Sequence, residues 1–323
     1  MKILVTGAGA VLGQGIIRSL RDCTLDVTVI AADPSPLSAG LYWTEHRHLI
    51  PMAKDPEFIP RVEELLERER PDAVIPGTDV ELQAFASQRT EWETRFATHV
   101  VVSSSGVVRI ADDKYLTFTF LRDRGFPVPD SCLPGDEDAL VERVGFPLIV
   151  KPRIGARSVG VVKVNDRAAL SRAIAEGTGV VIQECVATDG DEYTAGTLVF
   201  DGRCDASIVM RRDLRDGNTY RAYVDAYPEL DAQVRRMAEA LGSHGPANFQ
   251  FRVDRDGLAK VFEINARFSG TTPFRMRAGF NEVELTLRHL IHGAPIRQPP
   301  IRRMTILRHF EETVVPDHGI LDS

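Results

Sequence analysis

The chain is sparing with cysteine, lysine and tryptophan, has no long apolar run, and carries no basic excess; each shortage closes off a class of protein. Its four cysteines, Cys23, Cys132, Cys185 and Cys204, show no C-x-x-C spacing and no neighbouring histidine pattern. They indicate neither a zinc site nor a disulfide framework, and four reduced thiols fit the spacing better. No apolar stretch approaches the ~20 residues of a membrane span. The start, Met1-Lys2-Ile3-Leu4-Val5-Thr6-Gly7, runs straight into a strand-turn pattern without leader architecture. A soluble, cytoplasmic protein is the expectation. With a formal net charge of −7 there is no electrostatic reason to expect nucleic acid or an anionic membrane as partner. Lysine occurs only at positions 2, 54, 114, 151, 163 and 260, which makes each one worth tracing.

What is present is globular. A length of 323 residues allows two or three packed units, and 43% hydrophobic with 26% charged residues is ordinary. Residues 1–108 alternate strands and helices, the pattern of a parallel sheet covered on both faces. Residues 109–185 read as a second, smaller unit, with a helix from Lys114 to Arg124 and strands over Pro147–Pro152, Val159–Val164 and Val180–Gln183. Residues 186–323 hold longer strands, Glu192–Val199 and Ala206–Arg211, and a helix over Asp231–Leu241. They end in a short polar tail after Pro316, expected to be mobile.

The most informative stretch is Val261-Phe262-Glu263-Ile264-Asn265-Ala266-Arg267. It alternates with the period of a half-buried strand, so Phe262 and Ile264 are expected inside and Glu263, Asn265 and Arg267 on the other face. Asn248 to Val253 alternates likewise, and Asp254-Arg255-Asp256-Gly257 supplies the turn between them. A loop centred on Arg255 and Asp256 sets Asn248 opposite Glu263, with Gln250 as diagonal neighbour. One surface then carries several oxygen donors, which suits magnesium and a triphosphate. A merely wet hairpin face is the bland alternative.

This arrangement resembles the metal-binding strand pair of the ATP-grasp ligases, above all the large chain of carbamoyl-phosphate synthase and its short relatives. The resemblance implies an α/β and α+β chain: a Rossmann-like N-terminal domain followed by a two-lobed ATP-grasp domain. It implies that Gln250, Glu263 and Asn265 hold magnesium, with manganese as a substitute, and that Arg267 holds the transferred phosphate. It also gives Lys114 and Lys151 to the phosphates of ATP, and Gly155, Ser158 and Gly160 to a loop that closes over them, Arg157 being unusual there. Glu184 and the backbone around Val186 would recognise adenine, Glu192 the ribose hydroxyls, and Arg212 an acyl phosphate. Arg275, Arg277 and Asp79 are candidates for substrate contact, although Asp79 and Glu81 could simply open a helix, and Asp112 and Asp113 could simply cap one.

The turn Gly7-Ala8-Gly9-Ala10-Val11-Leu12-Gly13 with Asp33 leaves a second reading, an NAD(P)-dependent reductase. Its spacing is G-x-G-x-x-x-G, an imperfect dinucleotide fingerprint, and no tyrosine has lysine four residues later. A non-catalytic MgATP-binding module is the third. The expected function is a carboxylate–amine ligase acting through an acyl phosphate on small-molecule substrates, with a homodimer as a possible assembly.

Overall fold

Short buried strands alternating with amphipathic helices build the first layer of the computed structural model, which describes residues 1–155, 158–186, 192–316 and 319–321. β1 (Lys2–Val5), β2 (Thr28–Asp33), β3 (His46–Leu49), β4 (Ala73–Ile75) and β5 (His99–Val100) form a parallel sheet in the order β3-β2-β1-β4-β5. Helices α1 (Val11–Arg21), α2 (Phe58–Glu69) and α3 (Leu82–Phe96) cover it. Ile16, Ile17 and Leu20 pack on one face with Ile3 and Val5; Phe58, Phe85 and Trp92 pack on the other with Leu4 and Val74.

The polypeptide then enters α4 (Ser105–Asp112) and α5 (Lys114–Asp123), the latter capped by Asp113, which accepts from the Tyr115 and Leu116 amides. Val107, Ala111, Phe120 and Leu121 pack into the core of the C-terminal sheet, so these helices join the third unit and not the second. The small unit proper is the antiparallel sheet of β6 (Ser131–Cys132), β7 (Leu148–Pro152), β8 (Val162–Val164) and β9 (Val180–Glu184), in the order β6-β9-β7-β8. Helices α6 (Glu137–Val144) and α7 (Arg167–Glu176) cover one face by burying Leu140 and Leu170 against Leu148, Val150, Val164 and Ile182. Strand alternation turns Ile149, Lys151 and Gln183 to the uncovered face.

The third unit is a six-stranded antiparallel sheet. It comprises β10 (Glu192–Phe200), β11 (Arg203–Arg215), β12 (Asn218–Val224), β13 (Gly245–Val253), β14 (Ala259–Asn265) and β15 (Met304–Leu307), ordered β14-β13-β10-β11-β12-β15. α8 (Pro228–Leu241) packs with α4 and α5 on one face; α9 (Thr272–Arg277) and α10 (Glu282–His292) pack on the other. Among the described residues no helix is long and apolar enough to cross a membrane.

One buried ion pair lies beneath this sheet. Arg275 and Glu282 are both fully buried; Arg275 Nη1 donates to Glu282 at 2.9 and 3.1 Å, and its Nη2 donates to Asn248 Oδ1. The guanidinium lies flat over Gly196 of β10, where an added Cβ would come within 2.5 Å of it. Gly196→Ala is therefore expected to destabilise by about 1–3 kcal/mol through overpacking. A urea midpoint equal to wild type would show that the guanidinium can step aside.

Candidate nucleotide and metal site

The uncovered face of the small sheet looks across a cavity of about 330 Å³ at the cleft face of the six-stranded sheet. Period-2 alternation decides what lines it. On β13, Phe249 and Phe251 enter the core, so Asn248 and Gln250 take the other face; on β10, Tyr193 and Ala195 enter it, so Glu192 and Thr194 do not. Lys114, Lys151, Gly155, Ser158, Glu184, Val186, Glu192, Arg212, Gln250 and Glu263 all line this one cleft.

The strand pair differs from its expected register. The turn is centred on Asp256, and a bulge at Phe262 adds a residue to β14, so Gln250 pairs directly with Glu263 and Asn248 with Asn265. The bulge also sends Val261 into the core in place of Phe262, whose ring faces the cleft. The two displacements together amount to two residues, an even number, and Glu263 and Asn265 therefore stay on the cleft side. Asn265 Nδ2 donates to Glu263 Oε1 at 3.4 Å, and Gln250 Oε1 accepts from Arg212 Nη2 at 2.6 Å.

The lysines occupy different settings. Lys114 begins α5 and its Nζ donates to Gly155 O at 2.8 Å, tying the helix start to the loop between β7 and β8. Lys151 is deeply buried, its Nζ donating to Gln183 Oε1 at 2.7 Å and to Phe262 O at 3.3 Å. Gln183 Nε2 in turn donates to Ser131 Oγ at 2.9 Å, which fixes the amide's orientation. Burial among neutral acceptors pulls Lys151 down to about 7, with Glu263 opposing the shift. The unfolded chain then binds more protons than the folded one between about 7 and the ordinary lysine pKa. The ligand-free protein is expected to gain stability as pH rises through that window, and Lys151→Met to lose that gain. Equal slopes of denaturation midpoint against pH in both proteins would refute this.

Several expected roles shift. The Glu184 carboxylate accepts from Lys260 Nζ at 2.8 and 2.9 Å and from the Asp130 amide at 3.0 Å, while Glu184, Cys185 and Val186 together line the cavity. Glu192 accepts from Arg212 at 2.6 Å and from Arg252 at 3.2 Å. Gly160 does not line the cavity; it lies against Pro152, which an added Cβ would meet at 3.0 Å. Ala156, Arg157 and Asp191 lie outside the described residues. The tail is not free: Gly319 O accepts from Arg47 at 3.4 Å, and the Leu321 amide donates to Tyr42 Oη at 3.3 Å.

Two of the proposed substrate arginines cannot serve. Arg275 is sealed beneath the sheet by Glu282 and Asn248, and Arg277 points to the surface and pairs with Asp22 at 2.9 Å. The period-3.6 spacing on a helix placed them on opposite sides of it. Asp79 is different. At the end of the turn after β4 it accepts two parallel hydrogen bonds from Arg267, at 2.7 and 2.9 Å, while Arg267 also donates to Asn265 Oδ1 at 2.8 Å. This fork locks the N-terminal domain onto the end of the metal strand. Glu81 is buried beside it, accepting from Thr6 Oγ and the Thr78 amide, and burial raises its pKa to about 7.

The glycine turn is filled by its own chain, which speaks against the dinucleotide reading. Asp33 accepts from the Gly9 amide, the Ser35 amide and the Ser38 hydroxyl, so its carboxylate is occupied internally. Residues 38–41 lie across the turn, so close that a Cβ on Gly40 would fall 1.9 Å from Ala8 O.

Sequence reading missed Gln183, Lys260, Arg252 and Phe262. Gln183 was legible as a polar residue ending an apolar strand, and Lys260 was one of only six lysines. Phe262 was hidden by a bulge that the residue pattern does not announce.

A Rossmann-like domain, a small antiparallel clamp and a larger sheet with a nucleotide-sized cleft between the last two define an ATP-grasp protein. The family described as "ATP-grasp in the biosynthetic pathway with Ter operon" matches residues 181–313, and "PylC-like, N-terminal domain" matches residues 3–100. The chain is 25% identical to the carbamoyl phosphate synthase large chain of Methanosarcina barkeri over 84% of its own length and 28% of that protein. It thus spans little more than a quarter of that relative. It is 30% identical to the D-alanine–D-alanine ligase of Laribacter hongkongensis, over 56% of this chain and 64% of that one. N5-carboxyaminoimidazole synthetase from Staphylococcus aureus, solved with ADP, superposes with a TM-score of 0.75 at 16% identity, covering 93% of this chain and 79% of that one. An L-amino acid ligase from Bacillus licheniformis gives 0.69 at 21% identity, covering 90% and 73%. These two likenesses show the fold. The described residues have the layout of an ATP-grasp unit, and the chain is similar to a stretch of the carbamoyl-phosphate synthase large chain.

Proposed function

We propose that the protein is an ATP-dependent carboxylate ligase of the carboxylate–amine type, acting through an acyl phosphate and releasing ADP and phosphate. The observation that supports it most is the pair Gln250 and Glu263, lining one cleft with Lys114, Lys151 and Arg212, with Asn265 bonded to Glu263 and Arg267 bonded to Asn265 just beyond it. Among the described residues no three His, Cys, Asp or Glu side chains cluster for a metal. One carboxylate and two amide oxygens are nonetheless hard donors that fit magnesium, or manganese, held jointly with nucleotide phosphates. When bound, the ion would supply charge neutralisation at the transferring phosphoryl group.

The residues themselves do the positioning. Lys151, anchored by Gln183, and Lys114, anchored to the glycine loop, present cations to the phosphates. The backbone of 184–186 meets the adenine edge, and Glu192 faces the ribose. Arg212 and Arg267 hold charge where the acyl phosphate forms; each is already oriented by an acidic partner, Glu192 and Asp79. Asp79 then acts through Arg267, and no Ser-His or Cys-His nucleophile is required. The substrates are a small-molecule carboxylate and an amine, and a homodimer is the assembly to look for, the similar biotin carboxylase domain of Hydrogenobacter thermophilus 2-oxoglutarate carboxylase having been solved as a dimer.

The test is an ADP-release screen over paired carboxylates and amines. Release that depends on both partners is the expected result. MgATP that stabilises the protein without ADP release from any pair would favour the non-catalytic binding module and remove the ligase reading.

A further inference from the structure

Partly or fully buried arginines in this molecule are generally paired: Arg212 with Glu192, Arg267 with Asp79, Arg275 with Glu282. Arg18, Arg47 and Arg308 are exceptions, with no carboxylate within ion-pair distance among the described residues; Arg47 lies apart, over the Tyr42 ring and bonded to Gly319 O, whereas Arg18 and Arg308 both approach the segment around Gly270. Helix α1 turns one face to the segment that leaves the metal strand: Val11 meets Gly270, Gly15 meets Pro273, and Arg18 follows on that same face. The Arg18 guanidinium lies 4.9 Å from the Trp43 ring centre. Arg308 arrives from the other side, just past β15. Its backbone amide bonds Tyr220 O at 2.9 Å, its Nη2 donates to Gly270 O, and its guanidinium lies 4.9 Å from the Phe274 ring centre.

Each cation is thus backed by an aromatic ring, which steadies the plane of the guanidinium and leaves donor edges unspent. Burial first, and then the charge of Arg18, push the pKa of Arg308 below the usual arginine range. Both side chains approach the Gly270 segment, and two like charges without a counterion among the described residues are unfavourable, a cost that an anion between them would offset. Their location also matters. Gly270 is three residues beyond Arg267, yet neither Arg18 nor Arg308 lines the nucleotide cleft.

We propose that Arg18 and Arg308 form an anion subsite at the seam between the N-terminal domain and the C-terminal sheet, and that it receives a carboxylate or phosphate group of the substrate. The substrate to be ligated would then carry an anionic group besides the one that reacts. This rests on the ligase reading for the word substrate, but not for the existence of the subsite.

The experiment therefore has a part that needs no turnover. Thermal midpoints are measured in sodium chloride, inorganic phosphate and acetate at equal ionic strength, for wild type, Arg18→Gln, Arg308→Gln and Arg308→Lys. Phosphate or acetate is expected to raise the wild-type midpoint by a few degrees beyond chloride, and the larger increment identifies the anion class. The glutamine variants should lose that increment while melting in chloride no lower than wild type, because a repulsion has been relieved; MgATP should still stabilise them. Arg308→Lys, which keeps charge but not the fork, should retain only part of the increment. Two outcomes overturn the proposal: no anion-specific increment in wild type, or glutamine variants that melt lower in chloride yet keep the full increment. For any substrate pair found in the ADP screen, the variants should raise one substrate's KM at least about tenfold more than the KM for ATP, the loss expected for a bidentate anion contact. A screen with no turnover would sink the ligase reading and leave the midpoint result to judge the subsite.

Discussion

Glu263→Gln should lower ADP release by about a hundred- to a thousandfold, the usual scale for removing one preorganised electrostatic group from a phosphoryl or acyl transfer site. The substitution keeps shape and hydrogen-bonding capacity, so the fold has no reason to respond: Glu263 is only part-buried, and its one hydrogen bond among the described residues, from Asn265, is long at 3.4 Å. Two effects act together. The cleft face of the strand pair loses its only carboxylate among Gln250, Glu263 and Asn265, and with it the formal charge that would attract a divalent cation. Lys151 also loses the neighbour that opposes its drift toward the neutral form. Turnover within a few-fold of wild type, in a protein of unchanged thermal midpoint, would remove Glu263 from the metal site and weaken the whole assignment.

The second large effect concerns stability. Arg275→Met should cost about 3–5 kcal/mol, the range for breaking a buried ion pair from one side, because Glu282 is left fully buried and charged. That is a large share of the roughly 5–15 kcal/mol available to a folded protein. Thr272 Oγ still donates to Glu282, which is far from enough to replace a guanidinium. The double variant Arg275→Met with Glu282→Gln should recover much of the loss, since no uncompensated charge remains. Urea denaturation of the three proteins checks this; single and double variants of equal stability would show that Glu282 had simply taken up a proton.

The two predictions draw on residues of unequal legibility. Glu263 could be read directly, because alternation on β14 and the turn chemistry after Val253 are local properties of the chain. Arg275 could not. A guanidinium four residues after Thr271 reads as a surface or substrate-binding group until the packing of α9 on β10 and β13 is known. Gly196, in the middle of an apolar strand, was the only hint that something large passes over that strand.

Local patterning was enough to place the main strands and helices of each unit, though not β3, β6, β12 and β15, and to mark which residue types could meet a cation or a phosphate. Those are matters of period, capping and turn chemistry within a few residues. Tertiary structure decided the rest: that Asp79 closes on Arg267 from another domain, that Asp33 and residues 38–41 fill their own glycine turn, and that a bulge trades Phe262 for Val261. Pairing between groups 188 residues apart in sequence is set by how layers pack, and no local pattern encodes which charge will meet which.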